Sequence, residues 1–260
     1  GGPPADAAAD EAGERQIAAV VRICRALDGM PLAIELAAAR LRAMTPEQVA
    51  ARLDDRFRLL NSGSRTALPR HRTLAAVVSW SWDLLDEPER ALWRRLAIFP
   101  GGVTVASARA VCVDPPADRA GPGAGRIVHD DVPDLLTALV EKSLLICDSE
   151  DGAATPRYRQ LETIREYGLR RLAEAGEREW LRAAHAEHFL RLAERAEPVL
   201  RTRDQLVWLR LLAIEQDNLH AALRGATAAG DAATAVRMSS ALGWYWWLRG
   251  RRLEGAQLAE

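Results

Sequence analysis

Few side chains in this sequence are spaced for chemistry. The two imidazoles of His185-Ala186-Glu187-His188 stand at i and i+3 on a helical stretch. A zinc site needs further ligands, and the helical metalloprotease pattern needs His-Glu-x-x-His. Neither is present, so the pair is expected on a solvated helix face. Ser79 and Ser81 lack the Gly-x-Ser-x-Gly elbow that exposes a hydrolase nucleophile. Cys24, Cys112 and Cys147 are an odd number at unrelated spacings in apolar segments, which fits neither a disulfide framework nor a zinc site. Buried, reduced thiols are expected. Trp244-Tyr245-Trp246-Trp247 could stack a ligand, but packing between helices is the commoner use of such rings. No Gly-x-x-x-x-Gly-Lys-Ser/Thr occurs, so the amide cradle, lysine and hydroxyl of a phosphate loop are missing from the chain. No catalytic residue is expected, and the segment alone should neither hydrolyse ATP nor bind it tightly.

The elements around these residues are mostly helical. Residues 1–13 are rich in Ala, Gly, Pro and Asp and read as a linker or frayed end. From Glu14, the residues Ile17, Val20, Val21, Cys24 and Leu27 recur at helical spacing on one face. Asp28-Gly29 ends that helix, with Gly29 suited to the left-handed position after a C-terminus, and Pro31 opens the next at its first turn. Thr45-Pro46-Glu47-Gln48 predicts a capping box, and Asn61-Ser62-Gly63-Ser64 marks a boundary. Helices follow at 73–85 and 87–99, the latter with an acidic cap at Asp86, and then at 103–112 (capped by Thr104) and 132–142. A Pro/Gly-rich loop fills 114–126. Short strands are expected at 143–147 and 157–161. That order predicts a winged helix. Helices at 162–174, 177–196 (broken near Pro198), 206–212, 217–226 and 232–248 then suggest the start of a tetratricopeptide-like α-solenoid. The fold class is therefore mainly α with one small β-hairpin.

Composition narrows the function classes. At 260 residues the chain exceeds the size at which single cores stop growing, so two or three small domains are expected. Hydrophobic residues make up 48%, enough to pack cores and to argue against disorder. A net charge of −1 provides no global field for nucleic acid or anionic membrane. No apolar run approaches the ~20 residues of a membrane span. The basic residues are almost all Arg, with one Lys at Lys142.

Three stretches, in order, resemble the signal-transduction ATPases with numerous domains (the STAND, NB-ARC-related class), and especially the AfsR-like transcriptional regulators of actinobacteria. They are Ala26-Leu27-Asp28-Gly29-Met30-Pro31-Leu32-Ala33; His71-Arg72-Thr73-Leu74 through Trp80-Ser81-Trp82 to Phe99-Pro100-Gly101-Gly102; and Leu139-Val140-Glu141-Lys142-Ser143-Leu144-Leu145 with Tyr158-Arg159-Gln160-Leu161-Glu162. The resemblance implies an internal fragment with three parts. Residues 1–62 would be the C-terminal helical subdomain of a nucleotide-binding module, 63–175 a winged-helix domain, and 176–260 a repeat region. It further implies that Pro31, with Gly29 and Met30, walls the adenine of ADP or ATP held by an upstream nucleotide-binding domain. The rigid ring would offer a flat surface at little entropic cost. The family's Met-His-Asp motif is replaced here by Gln160-Leu161-Glu162, and Leu161 cannot donate a hydrogen bond to phosphate. Self-association on activation and a cytoplasmic location are also implied.

A winged helix invites a DNA-binding reading. The helix that would enter the major groove, 132–142, places Asp131, Asp134, Thr137, Glu141 and Lys142 outward. Groove reading uses Arg, Lys, Asn or Gln. The wing adds Asp148, Glu150 and Asp151 against Arg157. Direct DNA binding by this segment is not expected. The function expected is a regulatory relay coupling nucleotide state to the repeat region. The alternatives are a DNA-binding module and a repeat-type scaffold without nucleotide.

Overall fold

The computed structural model describes residues 5–27, 30–61, 69–114, 126–148 and 155–250. Among them are twelve α-helices and one two-stranded antiparallel sheet, so the mainly-α expectation holds. The chain divides into two compact units, one comprising residues 1–86 and 138–144, the other 87–137 and 145–260.

The first unit contains α1 (Ala5–Ala26), α2 (Pro31–Arg40), α3 (Pro46–Asn61) and α4 (Pro69–Asp83). Proline takes the first position of α2, α3 and α4, where its missing N–H would have had no intrahelical acceptor. The capping box before α3 is formed: the Thr45 amide donates to Gln48 Oε1 at 3.0 Å, and the Gln48 amide to Thr45 Oγ1 at 3.4 Å. α1 packs on α3, and α4 receives α2 and α3.

Two expectations for α1 are corrected. Residues 5–13, read as a linker, are helical, because an alanine-rich run has high intrinsic propensity and one Gly does not stop it. The buried face carries Ala19, Ile23 and Leu27, whereas Ile17 is 67% exposed and Val20 and Val21 are each 42% exposed. Hydropathy alone favoured the larger side chains. The buried side of α1 instead carries the small residue Ala19 and leaves the Ile/Val stripe outside.

The second unit contains α5 (Glu87–Leu96), α6 (Val105–Cys112), the start of α7 (Val132–Glu141), β1 (Ile146–Asp148) and β2 (Arg157–Arg159). It continues through α8 (Glu162–Glu174), α9 (Arg178–Val199), α10 (Gln205–Ile214), α11 (Gln216–Ala228) and α12 (Ala232–Leu248). Thr104 caps α6 by accepting from the Ser107 amide at 3.2 Å. The hairpin pairs Ile146 with Arg159, Cys147 with Tyr158 and Asp148 with Arg157. Val103 and Tyr158 exchange amide hydrogen bonds, both 2.8 Å, which fastens the segment before α6 to β2. Gly102 permits this close approach. Its φ is +77°, and a Cβ there would lie 2.8 Å from the Tyr158 carbonyl oxygen.

α5 packs on α8. Gly168 lets them close up, since a Cβ at that position would meet the Ala97 Cβ at 2.9 Å. Trp93 and Tyr167 stack there with centroids 5.5 Å apart. α9 is the central element, packing against α6, α10, α11 and α12, and its Leu181, Phe189, Leu190 and Ala193 are fully buried. The stop expected near Pro198 occurs one residue beyond it. Pro198 falls in the last turn of α9, which runs to Val199. Among the described residues, no helix is long and apolar enough to cross a membrane.

Candidate functional site

In the first unit, the residues expected to face a nucleotide lie at the start of α2. Met30 is extended (φ −70°, ψ 121°), half-buried and makes no side-chain cap. Its amide donates to the Leu27 carbonyl, and its carbonyl accepts from the Ile34 amide, both at 3.0 Å. Those bonds fix the turn between α1 and α2 and set Pro31 as the first helical residue. The Pro31 ring is exposed, while Ala33, Leu36 and Ala37, further along α2, are buried. Gly29, expected beside them, lies outside the described residues. Met30 and Pro31 are thus adjacent at a rigid helix start, with an apolar ring turned outward.

The second unit holds a polar clasp that sequence reasoning did not find. Arg157 on β2 forms a bidentate pair with Glu215 at the α10–α11 junction, Nη1 to Oε1 at 2.6 Å and Nη2 to Oε2 at 2.9 Å. Its Nε donates to the Gly101 carbonyl at 2.8 Å and its Nη2 to the Gly102 carbonyl at 3.1 Å. Asn218 closes the set. Its Nδ2 donates to the Gly102 carbonyl at 2.9 Å and to Glu215 Oε2 at 2.7 Å, and its Oδ1 accepts from the Gly101 amide at 3.1 Å. Both ionic side chains are well covered, at 15% and 7% exposure. The sequence reading counted Arg157 as the one cation of the wing. In the structure Glu215, 58 residues away in the chain, neutralises it.

A second buried network joins α5, the segment after α6 and the start of α9. Arg95 donates to Asp114 at 2.8 and 2.9 Å, to Glu177 at 2.6 and 3.3 Å, and to the Cys112 carbonyl at 2.8 Å. Arg94 adds 2.7 and 3.1 Å bonds to Glu177. Burial alone would raise the Asp114 and Glu177 carboxyls. Hydrogen bonds from Arg95 and the Ile127 amide to Asp114, and from Arg94 and Arg95 to Glu177, outweigh it and hold both below the usual carboxylate range. Each cation has a carboxylate partner, so the network's chemistry is structural.

The remaining candidates are placed as follows. His185 and His188 are not on a solvated face, as the sequence suggested. His185 is 2% exposed among Phe99 and Phe189, whose ring centroids lie 4.9 and 4.6 Å away, and burial pushes its imidazole down to about 3, with His188 adding to the shift. His188 is half-buried, 3.2 Å from Ser107 Oγ. Phe189 lies one turn further along α9, whereas Phe99 comes from a separate segment that the local pattern around His185 does not reveal. The cysteines are not uniformly buried: Cys112 is buried, Cys24 intermediate and Cys147 exposed. Burial pushes the Cys112 thiol up to about 12. Tyr245 and Trp246 pack inward, whereas Trp247 is 46% exposed and stacks on Trp244 at 4.6 Å. Leu161 is 37% exposed. Gln160 donates to the Trp93 carbonyl at 2.9 Å, and Glu162 pairs with Arg165 at 3.0 Å. Among the described residues, no cluster of three or more His, Cys, Asp or Glu could hold a metal.

The outward face of α7 is acidic: Asp131, Asp134, Thr137 and Glu141 are exposed. Among the described residues of α7, this face supplies no row of cations for a phosphate backbone. What the clasp does supply is a rigid connection between the hairpin and the helices after it.

The chain is similar to named regulators of transcription. It is 41% identical over 238 residues to the protein named "Putative HTH-type transcriptional regulator Rv0890c" of Mycobacterium tuberculosis, and equally to its counterpart in Mycobacterium bovis. That similarity covers 92% of this chain, and the chain spans about a quarter of those relatives' length. A mycobacterial protein named "Uncharacterized protein Rv0894" is 40% identical over 169 residues, which are 65% of this chain and 40% of that protein. No protein-family model matches the chain.

Proposed function

We propose that this chain is a regulatory relay segment of a larger, nucleotide-dependent transcriptional regulator of the STAND type. In this reading, residues 1–62 complete a nucleotide-binding module and 63–175 form its winged helix. Residues 176–260 begin a helical repeat region that senses a signal. The observation that carries the relay is the Arg157–Glu215–Asn218 clasp. It ties β2 and the Gly101-Gly102 turn to α11 within one compact unit, so a strain applied to the helical region reaches the hairpin without slack. The exposed Pro31 ring and the uncovered Ile17/Val20/Val21 stripe support a docked neighbour for the first unit. The similarity of nearly the whole chain to mycobacterial proteins named as HTH-type regulators supports the regulatory setting.

Nucleotide, ADP or ATP, would be held with Pro31 and Met30 against the base and with phosphate contacts from the rest of the parent protein. DNA binding is assigned to parts of the parent outside this segment. The acidic face of α7 repels phosphates, and Arg157 is already paired.

The test uses the full-length parent. Pro31→Gly should weaken nucleotide retention through purification, measured by extraction and chromatography, while Pro31→Ala, which keeps the helix start, should weaken it less. Retention unchanged in both variants overturns the adenine-wall role and leaves a scaffold. A mobility shift by this 260-residue segment at low salt, abolished by duplex competitor, would favour the DNA-binding reading instead.

A further inference from the structure

A second cleft in the 87–260 unit has the chemistry of a binding site that the relay does not use. It encloses about 400 Å³, within the range of small-molecule sites. Its walls come from the end of α5, from α8, α9 and α11. Three guanidinium groups line it, Arg165, Arg182 and Arg224, and none of the lining residues is acidic. In a chain whose formal charge is −1, three cations, two of them exposed, lining one cleft without an acidic neighbour in the lining is a local departure. Glu162 pairs with Arg165 at 3.0 Å from outside the lining. Arg182 and Arg224 have no carboxylate partner among the described residues, in contrast to Arg94, Arg95 and Arg157 in the same unit.

The fourth polar group is His185. It lines the cleft, its side chain is 2% exposed, and its Nε2 has no hydrogen-bond partner. A buried imidazole nitrogen without a partner is costly unless something fills the position. Phe99 and Phe189 hold the ring, so it cannot turn away to find solvent. The α11 wall is made of small residues, including Ala222 and Gly225, and a Cβ added at Gly225 would meet nothing within 4 Å. The space beside Gly225 is therefore open, and Ile98 and Leu169 add apolar lining.

We propose that this cleft binds a small organic oxyanion. Its phosphate or carboxylate head would lie against Arg182 and Arg224, and its apolar body against Ile98 and Leu169. The assignment stands independently of any nucleotide bound near Pro31. Guanidinium groups match both kinds of head through paired N–H donors. The volume admits a single ring or short chain and excludes a folded partner or a nucleic-acid duplex.

The test is calorimetric titration of the whole 260-residue chain at low salt with phenyl phosphate and, separately, benzoate. At least one should bind saturably with a dissociation constant of about 1 mM or tighter. Binding of one and not the other names the head group. Arg182→Ala with Arg224→Ala should weaken that binding by about tenfold or more, because two charge-assisted contacts are lost. Gly225→Leu removes no charge and suits a helix, and it should abolish binding by filling the cleft. Absence of saturable binding by both probes overturns the proposal. So does binding that survives Gly225→Leu, since that would be diffuse attraction to surface arginines.

Discussion

Neutralising Glu215 gives the sharpest test of the clasp. Its carboxylate accepts three hydrogen bonds, two from Arg157 and one from Asn218, with 7% of the side chain exposed. Glu215→Gln preserves shape but leaves the Arg157 guanidinium covered and without its counter-charge. Breaking one side of a buried pair costs about 3–5 kcal/mol. Arg157 retains the Gly101 and Gly102 carbonyls, so the lower end, about 3 kcal/mol, is expected. Replacing both partners together, Arg157→Met with Glu215→Leu, removes the stranded charge and should cost less than the two single changes added. The coupling should be about 2 kcal/mol. Urea denaturation of the four proteins gives these values, provided the slopes agree. Amide exchange should accelerate at 99–104 and 157–159 in Glu215→Gln. Additive single effects, or a Glu215→Gln loss below about 0.5 kcal/mol, would refute the clasp as an energetic connection.

Three further outcomes are expected. His185 has its folded pKa lowered to about 3, so the unfolded chain binds the extra proton first. Its stability contribution is complete above about pH 6.5 and falls by about 2 kcal/mol by pH 5. Denaturation across that window should show a slope that His185→Phe flattens, and an unchanged slope would contradict a neutral buried ring. Among the cysteines, Cys147 should react promptly with a thiol reagent and Cys112 only on unfolding, as peptide mapping can check. Gly102→Ala should destabilise by well over about 1 kcal/mol, since both its φ of +77° and the Tyr158 carbonyl oppose a Cβ. Gly230→Ala, at φ +72° with open space, should cost only about 1 kcal/mol, and equal losses would remove the Tyr158 contact as a cause.

Local signals carried much of the fold. Thr45 and Gln48, Thr104, and the prolines at helix starts act within three or four residues, and each behaves as its spacing implied. The helix expected over 232–248 forms with those bounds, and Asp231 accepts from the Thr234 amide at its start. What was missed depends on long separations. Arg157 finds Glu215 at 58 residues, Arg95 finds Glu177 at 82, and neither pairing leaves a trace in periodicity. The phase of α1 failed for a different reason. Two stripes compete on that helix, and a hydropathy reading ranks Ile and Val above Ala, whereas the buried side carries the small residue Ala19. Of the nucleotide-facing trio, Pro31 and Met30 are placed at a helix start as read, and the adenine they would meet remains the proposal above.

The central position of α9 limits how this polypeptide can be dissected. It offers one side to α6 and others to α10, α11 and α12, so it is interior scaffolding for what precedes and follows it. A protease or an engineer cutting at Gly176, where the sequence shows a natural pause, would strip α6 of its cover and leave Phe99 without the Phe189 ring beside it. Fragments meant to isolate the hairpin-bearing part should therefore keep α9 together with α10 to α12, which pack on it and supply Glu215 to Arg157, and those that stop earlier should aggregate.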